Sequence, residues 1–146
     1  MSKVNNLFID GRQIKILDTY RLIYFAIFVF SFFVTELGRN VYRPYIYSHH
    51  INDYGLADAI GNLGGIVVQI FFILAILNPP KRKAYNVIAF LSLGYILYEI
   101  AQPYLPKGVF DWKDIWGTLI GGVFSLFLFL IIQSMVKNKV IKKFQK

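Results

Sequence analysis

The sequence predicts an all-α membrane protein, a bundle of four transmembrane helices with both termini on the inner side. Of its 146 residues, 56% are hydrophobic and 18% are aromatic, whereas soluble domains are about 45–50% apolar. The apolar residues form four blocks, residues 22–35, 59–77, 84–98 and 115–136. With flanking residues included, each block approaches or exceeds the roughly 17–25 residues with which a helix crosses a bilayer. No other stretch of comparable length remains, so the composition excludes a soluble domain.

The distribution of charge predicts the orientation of these helices. With the N-terminus inside, twelve of the sixteen basic residues lie on the inner side, whereas six of the eight acidic residues lie outside. This asymmetry follows the positive-inside rule and predicts an N-in, C-in topology. We therefore assign the net charge of +8 to contact between the protein and anionic headgroups at the cytoplasmic face, and predict no nucleic acid partner.

The chain divides into three predicted parts. Residues 1–17 mix apolar and polar residues, as expected of a cytoplasmic segment that lies on the inner membrane surface. Residues 18–136 contain the four spans, and residues 137–146 form a basic cytoplasmic tail. No small-residue cleavage site follows the first apolar block, so we predict a retained signal anchor and no removable signal peptide.

The first two predicted spans are joined by a long outer loop. The first span covers residues 18–37, and the loop covers residues 38–55. The second span is predicted to begin at Asp58, whose side chain can cap it, and to end at residues 78–80, where two prolines stop the helix. The loop is predicted to lie against the membrane, because tyrosine favours the headgroup zone. Its tyrosines are Tyr42, Tyr45, Tyr47 and Tyr54.

The last two predicted spans follow a short inner turn over residues 81–83. So short a turn makes the second and third spans antiparallel neighbours. The third span runs from residue 84 to residues 102–104, and the fourth starts at Asp114 with Asp111 as its cap. Small residues at every fourth position favour close packing, either within the bundle or in a homodimer. These residues are Gly61 and Gly65 in the second span, and Gly117, Gly121 and Ser125 in the fourth.

The familiar catalytic and cofactor motifs are absent from the sequence. Without cysteine, disulfides, zinc–thiolate sites and thiol catalysis are excluded. No nucleotide-binding loop, nucleophile elbow or zinc-protease motif occurs, so no cofactor is predicted. His49 and His50 are adjacent and do not share a helix face, so no metal site is predicted there.

A pair of polar residues lies at helical spacing at each predicted outer helix end. Residues three or four apart share one helix face, so the four pairs can line one outward-facing pocket. A carboxylate within a span costs about 2.5–3.5 kcal/mol at mid-bilayer and less towards the interface, which makes Glu99 a functional candidate. The pairs are Glu36 and Arg39, Asp58 and Asn62, Glu99 and Gln102, and Asp111 and Asp114.

Each pair also has a structural explanation. Asp111 and Asp114 could act as general acid and base or as cation ligands, or they could only cap the fourth helix and favour its dipole. Glu36 and Arg39 are predicted to form an ion pair. Glu99 either reaches the interface or binds a partner inside the bundle, the candidates being Arg39, Asn62 and Gln102.

A Glu-x-x-Gln motif, a short turn and an Asp-x-x-Asp motif precede a last span with spaced glycines. These residues are Glu99, Gln102, Asp111, Asp114 and Gly121. The combination resembles the VanZ-like family of small bacterial membrane proteins, and a shorter similarity begins at Asp58, where that family has Asp-Lys-x-x-His-Phe. Together the two stretches cover about half the chain.

The resemblance carries expectations about location and role. It implies a multi-pass protein of the bacterial cytoplasmic membrane, and some relatives are linked to low-level glycopeptide antibiotic resistance. If the family residues replaced in this chain carry an activity, the activity here is lost or altered. The departures are Ala59 for lysine, Asn62 for histidine, Gly108 or Val109 for arginine, and Thr118 for asparagine.

From these observations we predict a VanZ-like protein that binds or modifies a cell-envelope lipid or glycolipid at the outer surface. The candidate catalytic residues are Glu99, Asp111 and Asp114, as proton acceptors or cation ligands. Arg39 or Arg43 would contact lipid phosphate. The alternative is a non-catalytic structural subunit that docks an envelope protein through its tyrosine-rich loop. The remaining candidate ligand-binding residues are Glu36, Asp58, Asn62 and Gln102.

Overall fold

Four long helices account for most of the structure, a computed structural model that describes residues 2–106 and 108–144, with side chains for residues 19–106 and 108–136. All four are long and apolar enough to cross a membrane. The all-α, four-span prediction is therefore confirmed. The candidate spans are Thr19–Ser48, Leu56–Leu77, Lys81–Tyr104 and Trp112–Val136.

The helices follow one another with short connections. In chain order, they are α1 (Ser2–Leu37), a five-residue π-helical segment (Gly38–Tyr42), α2 (Arg43–Ser48), α3 (Leu56–Leu77), α4 (Lys81–Ala101), a 3-10 turn (Gln102–Tyr104) and α5 (Trp112–Phe144). We call the end of the bundle where α3 and α5 begin the outer end, following the predicted orientation.

The predicted outer loop is mostly helical, which corrects the sequence analysis. The backbone continues from α1 through the π-helical segment into α2, so only residues 49–55 connect two spans. Pro44 lies in the first turn of α2, at the junction with the π-helical segment, and the helical backbone continues through it. The first span is therefore longer than expected and extends through the tyrosine-rich segment.

Two other predicted boundaries move by a few residues. The prolines end α3, where Asn78 adopts a left-handed conformation and donates its N–H to the Leu74 carbonyl at 2.9 Å. Residues 81–83 are not a turn, however, but the first turn of α4, since Lys83 N–H donates to the Pro80 carbonyl at 2.8 Å. Helix α5 begins at Trp112 and not at Asp114.

The helices α3 and α5 form the centre of the bundle. Helix α1 packs on α3, and α4 packs on both α5 and α3. Among the buried residues, the Tyr24 ring lies 6.1 Å from that of Phe71 and 6.3 Å from that of Phe129. Gln133 Nε2 donates to the Tyr24 hydroxyl at 3.0 Å. This aromatic core fills the inner half of the bundle, whereas polar side chains meet at the outer half.

Glycines bring α5 unusually close to α3. A Cβ atom on Gly117 would lie 2.7 Å from the Ala59 carbonyl oxygen, and one on Gly121 would overlap the Leu63 carbonyl oxygen. The close packing predicted for α5 therefore occurs within the bundle. Gly61, by contrast, has no atom within 4 Å of such a Cβ. The contact of α5 with α3 holds the first turns of the two helices side by side.

Candidate functional site

Glu99 lies in the last turn of α4 and is only 2% exposed. Asn62 Nδ2, from α3, donates to its Oε1 atom at 3.2 Å, and Gln102 Nε2 donates to its Oε2 atom. Both amides were proposed as partners from the sequence. Each carboxylate oxygen thus accepts a hydrogen bond, and within the described part of the chain both donors are neutral.

Asp58, in the first turn of α3, is the centre of a second polar group. Lys113 Nζ, from α5, lies 2.6 Å from its Oδ2 atom, and Arg43 Nη2, from α2, lies 3.9 Å from Oδ1. The Tyr47 hydroxyl donates to Oδ1. We call Arg43, Tyr47, Asp58 and Lys113 the outer ion cluster. Three separate helices contribute to it.

Within this outer ion cluster, Arg43 and Tyr47 support each other. They lie one helical turn apart on α2, and Arg43 Nε donates to the Tyr47 hydroxyl at 3.1 Å. The guanidinium carbon also lies 5.4 Å from the centre of the Tyr47 ring, a favourable distance for a cation–π contact. The arginine is therefore oriented before any ligand binds.

Asp53, and not Asp58, caps α3. Its Oδ1 accepts from Gly55 N–H at 3.1 Å, and its Oδ2 accepts from Ala57 N–H at 2.6 Å and from the Tyr42 hydroxyl at 3.2 Å. The predicted capping role of Asp58 is wrong, because the helix starts two residues earlier, at Leu56. The side chain of Asp58 is thereby left for the outer ion cluster.

Asp111 caps α5, as the sequence predicted. Its Oδ1 accepts from Lys113 N–H at 2.9 Å, and its carbonyl accepts from Asp114 N–H at 3.2 Å. The backbone N–H thus occupies one carboxylate oxygen. A second role of Asp111, as a proton acceptor or cation ligand, stays a prediction.

Asp114 connects the two polar groups. It lies within electrostatic range of Glu99 and also of Arg43, Asp58 and Lys113. The outer ends of α3, α4 and α5 therefore share one polar site, formed by Glu99, Asn62, Gln102, Asp114 and the outer ion cluster. We call it the outer site.

Glu36 and Arg39 form the predicted ion pair but lie apart from these contacts. Arg39 Nη1 is 3.5 Å from Glu36 Oε1, and Asn40 Nδ2 donates to Glu36 Oε2 at 2.9 Å. The two side chains are 56% and 39% exposed. The described contacts of this pair are local to one helix. The structure thus joins two complete predicted pairs, Asp58 with Asn62 and Glu99 with Gln102, and Asp114 of a third into the outer site.

Sequence reasoning missed Tyr47 and Lys113 as members of the outer site. Lys113 was recognisable as one of only four basic residues at the predicted outer side. Tyr47 follows Arg43 by four residues, the spacing that brings two side chains together on a helix. Neither signal names Asp58 as the common partner, because that contact depends on how α2, α3 and α5 pack.

Thr118 lies one turn below Asp114 on α5. It is fully buried, and its Oγ1 atom has no hydrogen-bond partner in the part of the chain that the structure describes. In the sequence, Thr118 stands out only as a departure from the VanZ-like pattern. Its burial next to the outer site is new information from the structure.

Among residues 19–106 and 108–136, no three His, Cys, Asp or Glu side chains lie close enough together to hold a metal ion. His49 is instead held locally, with its Nδ1 atom 2.9 Å from the Tyr45 carbonyl and its ring 4.3 Å from that of Tyr45. Any cation at the outer site would need neutral oxygen ligands as well as carboxylates.

Comparison with protein families, with curated proteins and with solved structures found no match to this chain.

Proposed function

We propose that this four-span membrane protein binds the anionic headgroup of a cell-envelope lipid or glycolipid at its outer site. The proposal agrees with the resemblance of residues 93–127 to the VanZ-like family. It places the protein in the cytoplasmic membrane of a bacterium, with the site on the outer face. A contribution to envelope homeostasis, or to resistance against glycopeptide antibiotics, is the corresponding physiological role.

The observation that carries the proposal is the charge of the outer ion cluster. Two cations, Arg43 and Lys113, share the single carboxylate of Asp58, so the four side chains of the cluster carry one net positive charge, with the Asp114 carboxylate as a neighbour. Their side chains are 45% and 49% exposed, so a phosphate can reach both. Because Arg43 already bonds to Tyr47, its guanidinium needs little further ordering when phosphate binds.

The surroundings of the cluster match the level of lipid headgroups. Exposed tryptophan and tyrosine side chains at a helix end are typical of the membrane–water interface. Trp112 and Trp116 on α5 are 66% and 61% exposed, and Tyr45 on α2 is 53% exposed. A phosphate at Arg43 and Lys113 would therefore lie at the depth where phospholipid headgroups are found.

The same geometry separates Arg43 from Arg39, both of which the sequence offered as phosphate contacts. Arg39 has its own carboxylate in Glu36, whereas Arg43 shares Asp58 with a lysine. Arg43 and Lys113 are thus the phosphate contacts that we propose. Beside them, Glu99 and Asp114 are placed to act as proton acceptors or cation ligands.

Binding of the purified protein to defined vesicles tests the proposal. We expect the wild type to bind vesicles of phosphatidylglycerol and phosphatidylcholine more tightly than vesicles of phosphatidylcholine alone. Arg43→Gln and Lys113→Gln should each reduce this preference, and Arg39→Gln, which removes the same charge, should retain it. Equal loss in all three variants would show that only the overall charge matters and would reject the site.

A second candidate function is favoured by the aromatic residues that face outward. Tyr54 and Tyr104 are 95% and 89% exposed, and Tyr54 is held at a φ of 56°, a conformation uncommon for a bulky residue. Such exposed aromatic side chains suit a protein-docking surface. In this alternative the protein is a structural subunit, and Tyr54→Ser would remove function while Lys113→Gln would not.

A further inference from the structure

The Thr118 hydroxyl differs from two other hydroxyls of the helices. Thr35 Oγ1 donates to the Ser31 carbonyl at 2.7 Å, and Ser125 Oγ donates to the Gly121 carbonyl at 2.8 Å. Both use the carbonyl four residues earlier, as Ser and Thr inside helices commonly do. Thr118 makes no such bond and is 0% exposed. A buried polar atom without a partner calls for an explanation such as a bound ion.

Helix geometry relates the position of Thr118 to those of Asp114 and Glu99. Thr118 follows Asp114 by one turn, so the two share a face of α5. One turn further, a Cβ on Gly122 would lie 2.7 Å from Ser92 Oγ of α4. Helices α4 and α5 are antiparallel. Residues that precede Gly122 on α5 therefore lie opposite residues that follow Ser92 on α4, in the direction of Glu99. By this spacing, Thr118 falls between the levels of Ser92 and Glu99 on the side of α5 that faces α4, one turn from Asp114.

Negative charge at this point is not balanced by a direct ion pair. Among residues 19–106 and 108–136, Glu99 is bonded to two amides, and the nearby cations Arg43 and Lys113 contact Asp58 instead. Asp114 adds a second carboxylate within electrostatic range of Glu99. Buried charge of one sign is strongly unfavourable unless it is neutralised by a proton or by a counter-ion.

We propose that these side chains bind one divalent cation of the size of calcium. Hard cations prefer oxygen ligands, and Ca²⁺ takes about six to eight of them. Two carboxylates would balance its charge, while the amide oxygens and the hydroxyl would complete the shell without adding charge. The ligands are Glu99, Asp114, Asn62, Gln102 and Thr118. Each amide donates its nitrogen to Glu99, and its oxygen can act as a neutral ligand.

Two alternative ions fit the site less well. Mg²⁺ demands near-octahedral geometry and keeps several water molecules, for which the buried Glu99 and Thr118 leave little room. Na⁺ would leave one carboxylate charge unbalanced. The cation site deepens the proposed function, since the ion would lie beside the lipid phosphate. The physiological role of the ion rests on that function. Ion binding itself is measured without lipid.

Terbium luminescence on the full-length protein in neutral detergent tests the proposal. Tb³⁺ replaces Ca²⁺ at oxygen sites, and Trp116, two residues from Asp114, can sensitise its emission. We expect saturable emission that Ca²⁺ displaces at lower concentration than Mg²⁺ or Na⁺. Glu99→Gln and Asp114→Asn should abolish the signal, and Thr118→Val should weaken Tb³⁺ binding at least tenfold. Glu36→Gln, which removes one carboxylate from the same protein, should bind as the wild type does.

Several results would overturn the cation site. These are emission that Ca²⁺ does not displace, displacement by Mg²⁺ or Na⁺ at the same concentration, and wild-type affinity in Thr118→Val. Thr118→Val replaces the hydroxyl with a methyl group of similar volume. The outcome for this variant does not depend on whether the carboxylate variants fold. Loss of vesicle binding in Arg43→Gln with intact Tb³⁺ binding would separate the lipid site from the cation site.

Discussion

Lys113 Nζ lies 2.6 Å from Asp58 Oδ2 and joins the first turns of α5 and α3, which are 55 positions apart in sequence. The pair is partly exposed, and ion pairs exposed to solvent add little to stability. Its effect is to fix the position of a cation at the outer end, next to Arg43, where it can meet a ligand. This small effect on stability agrees with the binding role that we propose for the outer ion cluster.

For the lysine of this pair, we expect a change in binding and not in folding. Lys113→Gln should weaken binding to vesicles that contain phosphatidylglycerol roughly fivefold, since each basic residue near an anionic surface contributes on that scale. The unfolding temperature in detergent should stay close to that of the wild type. Binding isotherms at low and high salt check the prediction, because the difference between the two proteins should shrink as salt screens the charge.

For Glu99, we expect loss of function at normal abundance. Glu99→Gln keeps the size of the side chain and an oxygen that accepts from Asn62 or Gln102, so the helix packing should survive. The negative charge needed for a proton acceptor or cation ligand is removed. Glycopeptide susceptibility of a deletion strain that carries each variant is the measurement, with Glu36→Gln as the control for charge. Wild-type susceptibility in Glu99→Gln at equal membrane abundance would assign the carboxylate a structural role only.

For two buried hydroxyls of α5, we expect opposite effects on stability. Thr118→Val removes a hydroxyl without a partner, and an unsatisfied buried group costs about 1–3 kcal/mol, so this variant should be as stable as the wild type or more stable. Ser125→Ala removes the bond to the Gly121 carbonyl and should lower the free energy of unfolding by about 1 kcal/mol. Unfolding in a detergent without divalent ions compares the two. If Thr118→Val were the less stable variant, its hydroxyl would have a partner inside the protein.

The sequence predicted the parts of the fold and site that depend on local spacing. The four spans follow from the length of the apolar blocks, and the prolines after Asn78 mark the end of α3. The three-residue spacing of Glu99 and Gln102 places their side chains on one face, and they are bonded. Asp111 caps α5 because an acidic residue immediately before a helix can accept from its first N–H groups.

Contacts between distant elements could not be predicted in the same way. The ion pair of Asp58 with Lys113 depends on how α3 and α5 are rotated relative to each other. The spacing of apolar residues in the sequence does not determine that rotation. Two nearby acids, Asp53 and Asp58, could each have capped α3, and the choice depends on where the first turn closes. The continuation of the helix past Leu37 was also missed, because a glycine such as Gly38 favours a break in a helix. In the structure the backbone at Gly38 is helical, and this residue packs against Ile60 of α3.

Two glycines that look alike in the sequence should respond differently to alanine. A Cβ on Gly121 would collide with the backbone carbonyl of Leu63 and with Ile66, and a backbone oxygen cannot move aside as a flexible side chain can. Gly121→Ala should therefore destabilise the bundle by about 1–3 kcal/mol, the usual range for overpacking.

Gly61→Ala is the matched control for this variant, because nothing lies within 4 Å of its added Cβ and alanine is the better helix former. Its stability should equal or exceed that of the wild type. Thermal unfolding of both variants in the same detergent gives the comparison. Since α5 carries Asp114 and Thr118, displacement of α5 in Gly121→Ala should also weaken Tb³⁺ binding. A folded Gly121→Ala protein with wild-type stability and Tb³⁺ affinity would contradict the close α3–α5 contact on which the outer site depends.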